Sequence, residues 1–142
     1  FRCRDGYAYI WMSAPMHWDA LRQLLGNPDW MSTFPDRWLE RECTPERVAQ
    51  CRRHIADWLA TQNKDEVAAQ AQQLGLTLVA VNDAADLKAS PQYRHRGFFA
   101  EVEHPVLGKA LYPTVPYKLS QTPATIRSAA PLLGQHNAET LA

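Results

Sequence analysis

Apolar and polar positions divide the chain into short periods. Residues 7–12, Tyr-Ala-Tyr-Ile-Trp-Met, follow the turn signal Asp5-Gly6 and are aromatic and β-rich, which predicts a strand buried on at least one face. Ser13-Ala14-Pro15 then opens a helix, with Pro near the first helical position, and Trp18, Leu21 and Leu25 repeat at helical spacing. Gly26-Asn27-Pro28 stops it, since Pro cannot continue a helix and Gly and Asn tolerate left-handed backbone. Between 29 and 42, Trp30, Met31, Phe34, Trp38 and Leu39 are too apolar for a solvated linker. Two short helices broken at Pro35 are expected there, with their aromatic side chains plugging the core. Thr44-Pro45-Glu46 is a helix start, combining a capping hydroxyl, Pro and a carboxylate at the positive dipole end. Val48, Cys51, Ile55, Trp58 and Leu59 line one face of that helix.

Asn63 and Glu66 fit the spacing of a capping box for a further helix, which carries Val67, Ala71 and Leu74 and ends at Gly75. Residues 76–81, Leu-Thr-Leu-Val-Ala-Val, read as a buried strand, and Asn82-Asp83 cap a brief helix over 84–89. The densest turn and strand signals fall in 90–120, and the chain is expected to be organised around this stretch. Pro91 opens a short helical turn and Gly97 closes it. Residues 98–103 form a strand, His104-Pro105-Val106-Leu107-Gly108 a tight connection, and 109–112 the returning strand of a hairpin. A lone hairpin is marginal in water, so the rest of the chain must supply packing partners. After 120 the period is lost around Pro123 and Pro131, an extended run is expected, and 135–141 begins a helix. The pattern predicts an α+β fold: a small antiparallel-type sheet with helices packed on one side, followed by an extended C-terminal segment.

Fifteen Lys and Arg balance fifteen Asp and Glu, which removes the cationic excess that a general nucleic-acid binder needs. The one basic cluster, Arg94-His95-Arg96, reads as a solvated helix end. No apolar run approaches a transmembrane helix and no signal-peptide core follows Phe1, so no membrane partner is expected. The chain starts on Phe and ends as a helix begins, and it is expected to be a piece of a longer protein. Three cysteines without C-x-x-C spacing suit a reducing cytoplasm. Cys51 reads as a core thiol, and Cys43, in a loop, has no local base to activate it. His54 has no second His within a turn and no metal role. The glycines are single and sit at element boundaries, and phosphate-binding, metalloprotease and nucleophile-elbow motifs are absent from the sequence. Asp57, Asp65, Glu101 and Glu103 read as solvated charges.

Four passages carry a family resemblance. They are Asp5-Gly6-Tyr7 before an apolar strand, S-P-Q-Y-R-H-R-G at 90–97, E-V-E-H-P-V-L-G at 101–108, and A-P-L-L-G-Q-H at 130–136. In this order and spacing the chain resembles the C-terminal part of the class III coenzyme A transferases, the family of formyl-CoA transferase, carnitine CoA-transferase and α-methylacyl-CoA racemase. Ser90 stands where the family has Asp, and Gln135 where it has Glu. Racemase-like members are expected to carry a Glu near Ala14-Pro15, and its absence leans toward acyl transfer. The resemblance implies a two-domain enzyme forming an interlocked homodimer. A Rossmann-like N-terminal domain binds CoA, and a small α+β domain closes over the active site. Residues 1–119 correspond to that small domain, and 120–142 to a linker and the start of a helix of the large domain. On this resemblance an Asp nucleophile attacks the acyl-CoA carbonyl, and CoA passes through an enzyme-bound thioester to the acceptor carboxylic acid. That Asp and a glycine-rich loop are expected upstream of Phe1. The resemblance therefore assigns this chain no catalytic, cofactor-binding or metal residue. The coenzyme A thioester is a substrate of the full-length enzyme, and the isolated chain is expected to be inactive and prone to self-association.

Two other readings compete. One is a non-catalytic interaction module of α+β fold. The other is a small independent enzyme using Cys43 or His136.

Overall fold

A computed structural model describes residues 1–141. The chain forms two compact units, Phe1–Asn82 and the part from Asp83 onward. The boundary between them falls inside the stretch 1–119 that the sequence reading takes as one domain.

In the first unit, β1 (Arg2–Cys3), β2 (Gly6–Trp11) and β3 (Thr77–Val81) form an antiparallel sheet in the order β1-β2-β3. The register pairs Tyr7 with Val81, Tyr9 with Val79 and Trp11 with Thr77. Between β2 and β3 run α1 (Pro15–Leu24), a 3-10 segment (Asp29–Thr33), α2 (Trp38–Arg41), α3 (Pro45–Leu59) and α4 (Lys64–Gln73). Successive strand residues face opposite sides. Ala8 and Leu78 are buried on the helix-covered face, whereas Tyr7, Tyr9, Trp11, Val79 and Val81 stand more than half exposed on the other. The strand at 76–81 is thus not fully buried as the sequence suggested. Helices cover one face of the sheet, so only Leu76 and Leu78 of that run are sealed from water.

The core is built on aromatic rings. Trp18, fully buried, meets Trp38 edge-on at 5.2 Å and Phe34 at 5.1 Å, and Phe34 meets Trp38 edge-on at 5.0 Å. Such pairs add about 0.5–1.5 kcal/mol beyond the area they bury. Leu21, Met31, Ile55 and Leu59 close around them. All five tryptophans lie in this unit.

The start of α4 departs from expectation. Asn63 has the extended backbone of a cap, but its side chain makes no capping bond. The Lys64 N–H instead donates to Asp5 Oδ1 at 2.8 Å, across 59 residues. A carboxylate is a stronger acceptor than an amide and is favoured at the positive end of a helix, so the distant Asp5 displaces the local Asn63. Gly6 makes this approach possible. A Cβ there would come within 3.0 Å of Lys64 Cδ, and its φ of +157° is one that side-chain-bearing residues rarely adopt. The Asp-Gly turn therefore ties the β1–β2 connection to α4. Asp5→Ala is expected to lower the stability of this unit by about 1–2 kcal/mol, the usual range for a lost cap. Urea denaturation would measure it, and an unchanged midpoint would show that the bond contributes nothing.

The second unit begins with α5 (Ala84–Ala89), whose start is a true capping box. Asp83 Oδ1 accepts from the Ala85 and Asp86 N–H groups, and Asp86 Oδ2 accepts from the Asp83 N–H. Then follow α6 (Pro91–His95) and the antiparallel hairpin of β4 (Phe99–His104) and β5 (Gly108–Pro113). Residues 114–136 hold neither helix nor strand, and α7 (Asn137–Thr140) follows. Every fully buried apolar side chain among the described residues lies between Cys3 and Leu78. The 90–120 stretch is therefore not the organising core that its turn signals suggested. A two-stranded sheet has too little area to exclude water, and the extended core forms where helices cover a three-stranded one.

Candidate functional site

In the second unit the passages at 90–97 and 101–108 meet around one hairpin. Tyr93, at the centre of α6, packs against Phe98 at 5.0 Å and Phe99 at 6.3 Å, and these two rings meet edge-on at 5.1 Å. Arg94 Nη2 donates to the Ala89 carbonyl at 2.8 Å, which locks α6 to the end of α5. Arg96 Nη2 donates to the Pro116 carbonyl at 2.9 Å, and Thr114 donates to the Phe98 carbonyl through both its N–H and its hydroxyl. The Arg94-His95-Arg96 cluster is exposed, as a solvated helix end should be. Two of its members nevertheless hold the backbone in place.

His104 closes the hairpin turn. Its Nδ1 accepts from the Val106 N–H at 3.1 Å and the Leu107 N–H at 3.2 Å. Backbone N–H groups can only donate, so Nδ1 is unprotonated here and a neutral ring carries its proton on Nε2. Gly108, with φ of +70°, supplies the left-handed residue that ends the turn. His104→Leu is expected to destabilise the hairpin by about 1–2 kcal/mol, while His104→Asn, whose side-chain oxygen can take the same donors, recovers most of the loss. Hydrogen exchange of the Val106 and Leu107 amides reports this directly. Equal protection in the two variants would remove the turn-closing role.

A groove of about 610 Å³ opens beside this cluster. Tyr93, Phe99 and Leu111 form its apolar floor, Ala85 and Ala89 its wall, and Lys88 and Arg94 bring positive charge to it. Sequence reading did not single out Lys88. Its signal is weak, because one Lys in a short helix looks like any solvated charge.

The residues weighed as a nucleophilic site do not assemble one. Cys51 is buried, and burial first, with the nearby Cys43 second, pushes its thiol up to about 12. At neutral pH such a thiol is protonated and inert. Cys43 is exposed in the loop before α3. The imidazoles of that unit are engaged elsewhere: His17 Nδ1 accepts from the Ser13 N–H, and His54 stacks on Trp30 at 4.3 Å. In the other unit, His136 lies 3.1 Å from Glu139 at an exposed helix start. Glu101 and Glu103 are exposed on β4, as expected. Among the described residues no three His, Cys, Asp or Glu side chains cluster as a metal site, and no helix is long and apolar enough to cross a membrane.

The motif passages thus serve mainly to shape backbone: a cap from the β1–β2 turn to α4, a helix end, a closed turn. The whole chain was also compared with known proteins. CoA-transferase family III matches residues 1–137. The chain belongs to that family. A formyl-CoA:oxalate CoA-transferase from Escherichia coli O157:H7 (strain EC4115 / EHEC) is 30% identical over 138 residues, 96% of this chain and 32% of the relative. A succinyl-CoA:mesaconate CoA-transferase from Haloarcula hispanica is 29% identical over 147 residues, 99% of this chain and 35% of the relative. The family III chain therefore spans about a third of the length of the curated relatives it matches. A CAIB/BAIF family protein from Brucella suis shares its fold with a TM-score of 0.72 at 19% identity, over 98% of this chain and 35% of that one. Rv3272 from Mycobacterium tuberculosis does so with a TM-score of 0.70 at 24% identity, over 97% and 38%. The α+β architecture with small antiparallel sheets is thus that of family III proteins.

Proposed function

We propose that this chain is the C-terminal, small-domain portion of an acyl-CoA:carboxylate CoA-transferase. The observation that carries the reading is the family match over residues 1–137, by a chain that spans about a third of relatives named as CoA-transferases. Those relatives are named for exchange between a CoA thioester and a free carboxylic acid, and that is the reaction class proposed for the whole enzyme. The thioester carbonyl is attacked by a carboxylate nucleophile, which splits one acyl transfer into easier steps. That nucleophile is proposed to lie in a Rossmann-like N-terminal domain. Residues 1–119 close over the active site and support a homodimer, and 120–142 return toward the large domain. No residue of this chain is assigned a catalytic role, and the enzyme is proposed to work in the cytoplasm.

The exposed row of Tyr7, Tyr9, Trp11, Val79 and Val81 supports a portion that docks on something larger, because an apolar sheet face rarely stays bare in a monomer. The test assays the whole natural chain for CoA transfer from formyl-CoA or succinyl-CoA to oxalate or mesaconate, beside the 142-residue chain alone. Turnover by the whole chain and none by the shorter one is expected. A natural protein with the 16.1 kDa mass of this chain and no transfer activity would overturn the reading.

A further inference from the structure

The groove of the second unit has the three properties of a small-molecule site. Its volume of about 610 Å³ lies within the range of roughly 300–1,000 Å³ typical of ligand pockets. Its floor of Tyr93, Phe99 and Leu111 is apolar. Its charged lining residues, Lys88 and Arg94, are both cationic, and no carboxylate lines it.

Neighbouring acids do not cancel that charge. Glu101 shares a strand face with Phe99 and Leu111, but it pairs with Lys109 at 3.3 Å. Asp86 closes the capping box of α5. Among the described residues Lys88 has no ion-pair partner. The Ala89 carbonyl holds one Arg94 nitrogen, which fixes where that guanidinium stands. An apolar floor beside two uncompensated cations fits a ligand with an apolar body and one anionic end. A polyphosphate would need more donors than two side chains offer, and a neutral ligand would leave the charges without purpose.

We propose that this groove binds a small amphiphilic carboxylate, an acyl chain whose body lies on Tyr93, Phe99 and Leu111 and whose carboxylate meets Lys88 and Arg94. The inference does not depend on the chain being part of a CoA-transferase.

Decanoate is the probe, titrated by calorimetry into the whole natural chain, with decanol as the neutral counterpart. Decanoate is expected to bind and to shift the Tyr93 ring resonances, and decanol to bind at least about tenfold more weakly, the loss of one charge-assisted contact. Lys88→Glu, an exposed substitution on α5, should weaken decanoate about tenfold or more and leave decanol unchanged. Leu111→Glu should weaken both. Absence of decanoate binding, equal binding of the acid and the alcohol, or indifference to Lys88→Glu would each overturn the proposal. The same holds for binding that leaves Tyr93 unmoved.

Discussion

Replacing Trp18 with Ala will remove about 3–5 kcal/mol of stability from the first unit, the range seen when a buried aromatic side chain is deleted. Natural domains hold only about 5–15 kcal/mol in reserve, so the variant will populate unfolded chain well below the wild-type melting temperature. The size of the effect follows from position. Trp18 is fully buried and its ring meets Trp30, Phe34 and Trp38 together. Its removal leaves three rings without their common neighbour. Trp18→Phe should lose much less. The Trp18 Nε1–H is buried with no hydrogen-bond acceptor among the described residues, as is that of Trp38. An unsatisfied buried donor costs about 1–3 kcal/mol, and phenylalanine relieves that burden while keeping most of the contact. Urea titrations followed by circular dichroism decide it. A Trp18→Ala midpoint corresponding to less than about 1 kcal/mol of loss would mean that the aromatic cluster is not the structural centre of this unit.

The second large effect is chemical. In the folded protein the Cys51 thiol titrates near 12, against an ordinary value near 8.5, because burial disfavours the thiolate. At neutral pH its thiolate population falls by roughly three orders of magnitude, and the protein around it blocks access as well. Iodoacetamide at pH 7.5 is therefore expected to label exposed Cys43 and to spare Cys51 until denaturant is added. The same shift makes stability fall on the alkaline side. Below the unfolded thiol's pKa both states are protonated and the contribution is complete. Above it the unfolded state loses its proton first, and about 1.4 kcal/mol is lost per pH unit from roughly 8.5 toward 12. A Cys51→Ala variant should lack this component. Matching alkaline slopes in variant and wild type would refute the assignment, as would fast labelling of native Cys51.

Much of this was legible in the sequence because the signals were local. Thr44-Pro45 opens α3, with Thr44 Oγ1 accepting from the Arg47 N–H at 3.3 Å. The hairpin around Pro105 was legible too, although His104 and Gly108, expected in the connection, pair with each other as strand residues and leave a shorter turn. The motif passages also carried the family, which composition and periodicity could not have supplied. What escaped was tertiary. Asn63 looks like a cap, and only the fold brings Asp5 near enough to replace it. The run at 76–81 looks sealed, and only the one-sided placement of helices shows that Val79 and Val81 face outward. Tyr7, Tyr9 and Trp11 alternate with Ala8 and Ile10, but alternation alone does not tell which set turns inward. The larger rings face solvent, contrary to the usual preference. The groove beside Lys88 joins two short helices to a hairpin, and no local window contains all three.

The confinement of every tryptophan to residues before Asn82 gives the molecule a built-in optical bias. Indole emission reports on the first unit and stays silent about the second, whose aromatic side chains are tyrosine and phenylalanine. Backbone dichroism records both. If the emission and dichroism curves superimpose on heating, the chain melts as one cooperative body. If dichroism continues to change after or before the emission has moved, the units unfold separately, and a single melting temperature quoted from fluorescence would describe only part of the polypeptide.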